Sequence, residues 1–202
     1  MGACPDPLNP AVAFSPILST RFGMTAYHNF HLPLKAIWEK AVRLYEAENR
    51  DSSTYFSPEE MAFLSSIGHT AQEVYDFAED AVKYGEPDFE TFLMLALLRR
   101  QYFLHVMKGE PGDKVVDTGD LPPKTEAVRG IEWLPRIIGK ARAKLRGEMS
   151  DDLMYGCGGD RRFFKDHDIH PAEFLAFVMT HFEDDEAIID FVASRSKMAA
   201  HV

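Results

Sequence analysis

A glycine-rich segment followed by two arginines is the part of the sequence best suited to bind an anion. Glycines let successive backbone N–H groups converge on one ligand, and arginine can donate two parallel hydrogen bonds to a carboxylate or a phosphate. The segment lacks the lysine and the Ser/Thr of a P-loop, so it is not a nucleotide fingerprint. We predict a loop over residues 156–160 that binds a small anion. Its candidate ligand-binding residues are Gly156, Gly158, Gly159, Asp160, Arg161 and Arg162.

A basic stripe in the preceding predicted helix could complete this anion site. Arg136, Lys140 and Lys144 are spaced four residues apart, which places them on one helix face, and Arg142 and Arg146 lie beside them. The alternative is structural. Tight helix packing would then require the glycines, and the basic face would be solvated and paired with the acidic run 183–186.

Cys157 could instead be a metal ligand or a reactive thiol. His167 and His170 have His-x-x-His spacing, and a thiolate with two imidazoles suits zinc or iron. Nearby arginines and a helix N-terminus would lower the pKa of the thiol, as a nucleophilic cysteine requires. Against both possibilities, His170 occupies a helix-cap position and a small cysteine beside glycine packs well in a protein interior. No cofactor is predicted, with zinc or iron as the metals that this set would suit.

The overall composition is that of a folded protein without disulfides. The chain has 202 residues, of which 46% are hydrophobic and 27% charged. Its net charge of -10 argues against nucleic-acid binding. Cys4 and Cys157 are far apart in sequence, which indicates a reducing compartment. The N-terminus lacks a signal-peptide pattern, and the most apolar run, 92–98, is too short to span a membrane. We expect a cytoplasmic protein.

Helical periodicity and helix-start signals recur along the chain, and no run alternates as a strand would. Apolar residues lie on nearly all sides of the helix predicted for 89–108, which indicates a central helix or one shared with a partner subunit. The predicted fold is an all-α compact helical bundle. The predicted helical segments are about 34–47, 58–64, 71–81, 89–108, 134–145, 161–166, 171–178 and 185–192.

The helices fall into two halves that are weakly similar in sequence. We divide the chain into an irregular N-terminal arm (1–26), an N-terminal half (27–108), a linker or crossing loop (109–130) and a C-terminal half (131–202). A shift of 100 residues superposes 40–92 onto 140–192 without a gap, and nine of those 53 positions are identical. This pattern predicts an internal repeat.

Three strings of the C-terminal half resemble a known family. They are IEWLPRIIGKARAKL (131–145), MYGCGGDRRF (154–163) and IHPAEFL (169–175). In this order and over about residues 131–192, they are similar to the bacterial domain-of-unknown-function family 5069 (DUF5069). The segment from 56 to about 108 also resembles the N-terminal part of longer members. The resemblance implies a small helical bacterial cytoplasmic protein. It identifies no catalytic residues in this sequence.

Two functions remain open at this point. The first is a helical binding or assembly module without enzymatic activity, which forms a homodimer or docks a protein partner through helix 89–108 and the arm. In that case the glycine loop could hold a small anionic ligand. The alternative is a thiol- or metal-dependent enzyme or redox protein centred on Cys157, with His167, His170 and Asp160 in supporting roles. We expect no membrane partner, and the acidic charge disfavours nucleic acid.

Overall fold

Helices dominate the part of the chain that the structure describes. The structure is a computed structural model and describes residues 28–199, with side chains to residue 195. The predicted arm, 1–26, lies outside the described residues. None of the helices described combines the length and the apolarity needed to cross a bilayer. The all-α prediction is confirmed by the helices α1 (His31–Glu46), α2 (Pro58–Ser66), α3 (Ala71–Tyr84), α4 (Phe89–Gln101), α5 (Leu134–Arg146), α6 (Gly158–Asp166), α7 (Pro171–Thr180) and α8 (Asp185–Ala199).

The helices begin at the cap residues that the sequence indicates. Ser57 and Thr70 each form a capping box, in which the cap side chain accepts a backbone N–H and a glutamate three residues later accepts the backbone N–H of the cap. At the start of α7, His170 Nδ1 accepts the backbone N–H of Ala172 at 3.1 Å. The helix-cap prediction for His170 is therefore confirmed.

The long helix predicted for 89–108 is α4 followed by a π-helical turn, Tyr102–Val106. One face of α4 is buried in the core, through Phe89, Phe92, Leu95, Ala96 and Arg99. The opposite face leaves Met94 and Leu97 exposed at 42% and 38%. Helix α4 is therefore buried on one side and exposed on the other.

The two halves share one hydrophobic core. Phe77 and Phe92 from the N-terminal half belong to the same buried cluster as Ile137, Phe164 and Phe174 from the C-terminal half. Helix α4 joins them, because it packs against both α5 and α7. Side chains from both halves can therefore line one site.

The predicted linker, 109–130, lies against the C-terminal half. Leu121 is buried, and Val116 pairs with Met149 by a single β-bridge. A short 3-10 helix (Thr118–Asp120) follows Val116. It precedes a β-hairpin of two short strands, β1 (Ala127–Val128) and β2 (Ile131–Glu132), in which Val128 pairs with Ile131. This hairpin leads directly into α5.

The loop predicted for 156–160 is wrong in its second half, because α6 begins at Gly158. Only Gly156, at φ +90°, and the cap residue Cys157 precede the helix. The prediction rested on the cost of glycine within a helix. That cost is opposed by a contact, since a Cβ on Gly159 would lie 2.7 Å from the ring of Trp133. Glycine lets α6 approach the start of α5 this closely.

Candidate functional site

Asp160 is the centre of the glycine segment and is fully buried. Its carboxylate accepts hydrogen bonds from Trp133 Nε1 at 3.0 Å and from the backbone N–H of Gly156 at 2.9 Å. It also forms an ion pair with Lys140, whose side chain is 3% exposed. The backbone N–H of Gly156 and the charge of Lys140 thus serve a carboxylate of this chain. The sequence had predicted that both would serve an external anion.

Cys157 lies at the N-cap of α6, half-buried and in contact with the same lysine. Lys140 Nζ donates to Cys157 Sγ at 3.3 Å. Lys140 thus contacts both the thiol of Cys157 and the carboxylate of Asp160. The structure therefore brings Cys157, Lys140 and Asp160 together.

Arg161 points from α6 toward the N-terminal half and is paired there. Its guanidinium donates to Asp80 at 2.6 Å, to Glu86 at 3.3 Å and to the carbonyl of Gly156 at 2.9 Å. Arg161 is buried, and the side chain of Asp80 is 16% exposed. Arg162 lies on the other side of α6, where its side chain is 85% exposed and lies 3.7 Å from the carboxylate of Asp166.

The buried Lys144 forms a second ion pair, which joins the two halves. Its ammonium group pairs with Glu73, which also contacts His69 Nδ1 at 2.9 Å. Burial alone would raise the pKa of Glu73, but Lys144 and His69 bring that pKa well below its ordinary value. His69 Nε2 lies 3.3 Å from the carbonyl oxygen of Ala96 in α4. This cluster therefore ties α3, α4 and α5 together.

The rest of the basic stripe divides by helix face. Arg136 is buried and donates to the carbonyl of Pro122 at 2.8 Å. Arg142 and Arg146 lie nearer the surface and pair with the acidic run before and within α8, through Asp185 and Glu183 respectively. The solvated alternative thus describes these two arginines, whereas Arg136, Lys140 and Lys144 are interior residues.

The histidines proposed as metal ligands have other roles. His167 stacks on Phe163, with ring centroids 4.4 Å apart, and its Nδ1 lies 2.8 Å from the carbonyl oxygen of Phe163. His170 caps α7. Within residues 28–199, no three His, Cys, Asp or Glu side chains gather as a metal site would require.

A cleft of about 520 Å³ opens between the two halves, next to Gly156 and Arg161. Its volume lies in the range usual for small-molecule sites. One wall comes from the end of α3, the α3–α4 turn and α4, and the other from α6 and the α6–α7 turn. Its apolar floor consists of Phe77, Leu95, Phe164 and Ile169, and its charged or polar rim of Glu86, Asp88, Thr91, Arg161, Lys165, Asp168 and His170.

The residues that form the cleft's second wall lie inside a segment that matches a family model. Residues 122–201 match the family model described as domain of unknown function DUF5069. The resemblance seen over 131–192 is thereby confirmed and lengthened by nine residues at each end. We call residues 122–201 the DUF5069 segment. The comparison found no match among curated proteins and none among solved structures.

The DUF5069 segment supplies only one side of the cleft. Gly156, Arg161 and His170 belong to it, whereas Phe77, Glu86 and Asp88 precede it. The family match begins after the N-terminal half, so it does not bear on the resemblance proposed for 56–108. The cleft therefore joins the recognised segment to the part of the chain before it.

Sequence reasoning found the basic residues and missed their partners. Neither Glu73 nor Glu86 was singled out for chemistry. The local sequence carried no signal for these pairs. Lys144 and Glu73 are 71 residues apart, and Arg161 and Asp80 are 81 apart.

Proposed function

We propose that this protein is a helical binding module that receives a small organic molecule in the cleft between its halves. The observation that carries the proposal is the cleft itself, which combines an apolar floor with polar groups at its rim. That combination is typical of sites that bury the body of a ligand and orient it with a few polar contacts. Both walls rest on the shared core, so the cleft is built on helices rather than on loops alone.

The charge pattern gives the predicted small anionic ligand less support than the sequence did. Lys140 pairs with Asp160, Lys144 with Glu73, and Arg161 with Asp80 and Glu86. At Lys140, Lys144 or Arg161, an anion would have to displace one of these carboxylates to reach the positive charge. Anion binding at the glycine segment stays a prediction, and our proposal does not depend on it.

The test of the binding proposal is to fill the cleft. Thr91 lines the cleft and is half-buried, whereas its neighbour Glu90 is exposed and does not line it. Fragments that raise the melting temperature of the wild type should lose that effect in Thr91→Trp and keep it in Glu90→Trp. The proposal fails if no fragment of a library of amines, alcohols and carboxylates binds, or if Thr91→Trp binds them as the wild type does.

A thiol-dependent enzyme remains a second candidate, because Lys140 Nζ lies within 3.3 Å of Cys157 Sγ. In a Cys4→Ser background, this proposal expects Cys157 to react with iodoacetamide faster than a free cysteine does. It also expects Lys140→Met to slow that reaction. A rate equal to that of free cysteine, unchanged in Lys140→Met, would leave Cys157 a packing residue.

Assembly through the exposed face of α4 also stays a proposal. Met94 and Leu97 are exposed one turn apart, beside the half-buried Leu93 and Leu98. Light scattering after size-exclusion chromatography distinguishes the homodimer from a monomer. If the face forms the contact, Leu97→Asp should convert the dimer to a monomer, and Met61→Asp on α2 should not.

We further propose that the halves arose by duplication within a bacterial cytoplasmic protein. The positions of the helices support the duplication, since α2 (Pro58–Ser66) and α6 (Gly158–Asp166) are offset by 100 residues. The cap residues Thr70 and His170 have the same offset, as do the buried tyrosines Tyr55 and Tyr155. The source rests on the family resemblance alone, and the location rests also on the two widely separated cysteines.

A further inference from the structure

The two cations at the rim of the cleft are neutralised by carboxylates of the chain itself. Lys165 Nζ lies 2.7 Å from each carboxylate oxygen of Glu86, and Arg161 pairs with Glu86 and Asp80. Two positive charges therefore face two negative charges. These four groups leave the cleft without net positive charge.

Two further carboxylates at the rim have no cation as partner. Among the described residues, Asp168 forms no hydrogen bond or ion pair through its side chain, and it is exposed at the turn between α6 and α7. Asp88 accepts the backbone N–H of Thr91 at 2.8 Å as the N-cap of α4. That hydrogen bond, together with the nearby His170, holds the pKa of Asp88 below its usual value. Asp88 thus keeps its negative charge at neutral pH.

His170 adds a hydrogen-bond donor to the same rim. Its Nδ1 accepts the backbone N–H of Ala172, which leaves the N–H of Nε2 as the donor of the ring. The rim therefore has two uncompensated carboxylates and an imidazole N–H that can donate. The chain as a whole is also acidic, at a net charge of -10, so its field favours cations.

The apolar floor of the cleft favours a ligand with an apolar body. Phe77, Leu95, Phe164 and Ile169 are all less than 5% exposed, and two of them are aromatic. Aromatic rings bind planar apolar groups and also attract cations placed over their faces. A ligand that satisfies both the floor and the rim is amphipathic, with one positive end.

We infer that the cleft binds an organic amine whose apolar body lies on the floor and whose ammonium group lies near Asp88 and Asp168. This inference rests on the proposed binding function and specifies the class of its ligand. Because the carboxylates lie near solvent, the charge contributes modestly to affinity, and the apolar floor supplies the remainder.

The experiment compares three probes of similar shape: 2-phenylethylamine, 2-phenylethanol and 3-phenylpropionate. Affinities are measured by ligand-detected NMR on the full chain at low salt. We expect the amine to bind about threefold or more tightly than the alcohol, and the carboxylate to bind most weakly. Raising the salt concentration should weaken only the amine.

Variants separate the ligand charge from the cleft itself. The double variant Asp88→Asn/Asp168→Asn should weaken amine binding about fivefold and leave alcohol binding unchanged. Asparagine suits both positions, because it caps helices and tolerates the positive φ of Asp168, +51°. Asp166→Asn is the matched control, since Asp166 is exposed on α6, lies outside the cleft and should leave all three affinities unchanged.

The possible outcomes distinguish the inference from the function. If the alcohol or the carboxylate binds as tightly as the amine, or if the double variant binds the amine as the wild type does, the amine inference is overturned while the binding function stands. If none of the three probes binds, the inference is overturned, and the fragment screen described above decides the function separately.

Discussion

Asp160 shows how one residue can organise the start of α6. Its carboxylate satisfies the indole of Trp133, the backbone N–H of Gly156 and the ammonium group of Lys140. Removing one partner of a buried ion pair leaves an uncompensated charge, which costs a protein about 3–5 kcal/mol. Asp160 therefore has a structural role, whatever the cleft beside it binds.

Asp76 provides a test of electrostatics by pH. Desolvation, together with the neighbouring Glu79 and Glu73, raises the pKa of Asp76 to about 7, against the opposing effects of Gln72 and Lys144. A carboxyl group with a raised pKa in the folded state destabilises the protein as pH rises from the unfolded pKa, about 4, to about 7.

Asp76→Asn removes this ionisation and keeps an acceptor for Gln72. We expect the free energy of unfolding of Asp76→Asn, relative to the wild type, to rise by about 1–2 kcal/mol between pH 5 and pH 8, a value discounted for partial exposure. Urea denaturation at the two pH values measures it. Asp166→Asn should show no such rise, and a pH-independent difference for Asp76→Asn would contradict the account.

At the level of elements, the close contact between α5 and α6 requires glycine at position 159 but not at position 158. A Cβ at Gly159 would meet Trp133 at 2.7 Å, whereas a Cβ at Gly158 has no neighbour nearer than 3.8 Å. Alanine favours helix at both positions by up to about 1 kcal/mol. Overpacking against the indole should outweigh this gain at Gly159.

We therefore expect Gly159→Ala to lower the free energy of unfolding by about 1–3 kcal/mol. Gly158→Ala, its matched control, should be neutral or slightly stabilising. Thermal and urea unfolding of the two variants provide the comparison. If the two variants have equal free energies of unfolding, the ring of Trp133 moves without loss of stability. The close packing then does not require Gly159.

The helices were predictable where the signal was local. Ser57, Thr70 and His170 mark helix starts through contacts that reach two or three residues along the chain, so the sequence alone located α2, α3 and α7. The start of α6 was not predictable in this way. The contact that favours glycine there comes from Trp133, which is 26 residues from Gly159 in the sequence.

The candidate site was predictable only in part, for the same reason. Its glycines and arginines stood out, but the carboxylates that neutralise Lys144 and Arg161 come from the other half of the chain. A basic stripe looks the same in sequence whether it faces solvent or a buried acid. The cleft arises from packing between α3–α4 and α6–α7, which no single segment encodes.

At the level of the whole molecule, the shared core predicts that both halves unfold together. The chain has two tryptophans, Trp38 in α1 and Trp133 at the start of α5, so each half carries one reporter. In Trp38→Phe and Trp133→Phe, the remaining tryptophan reports on one half. We expect the fluorescence transition in urea to coincide with the circular-dichroism transition in each variant. If the tryptophan transition and the helix transition separate, each half has its own core.

The central proposal is that a small organic molecule binds in the cleft between the halves. Chemical-shift mapping of the 15N-labelled protein tests it most directly. On titration with 2-phenylethylamine, we expect saturable shifts in the backbone amides of the cleft walls, at Thr91, Arg161, Asp168 and Ile169. The amides around Met94 and Leu97 on the outer face of α4 should not shift. Shifts centred on that outer face, or none in the cleft at saturating probe, would contradict the account.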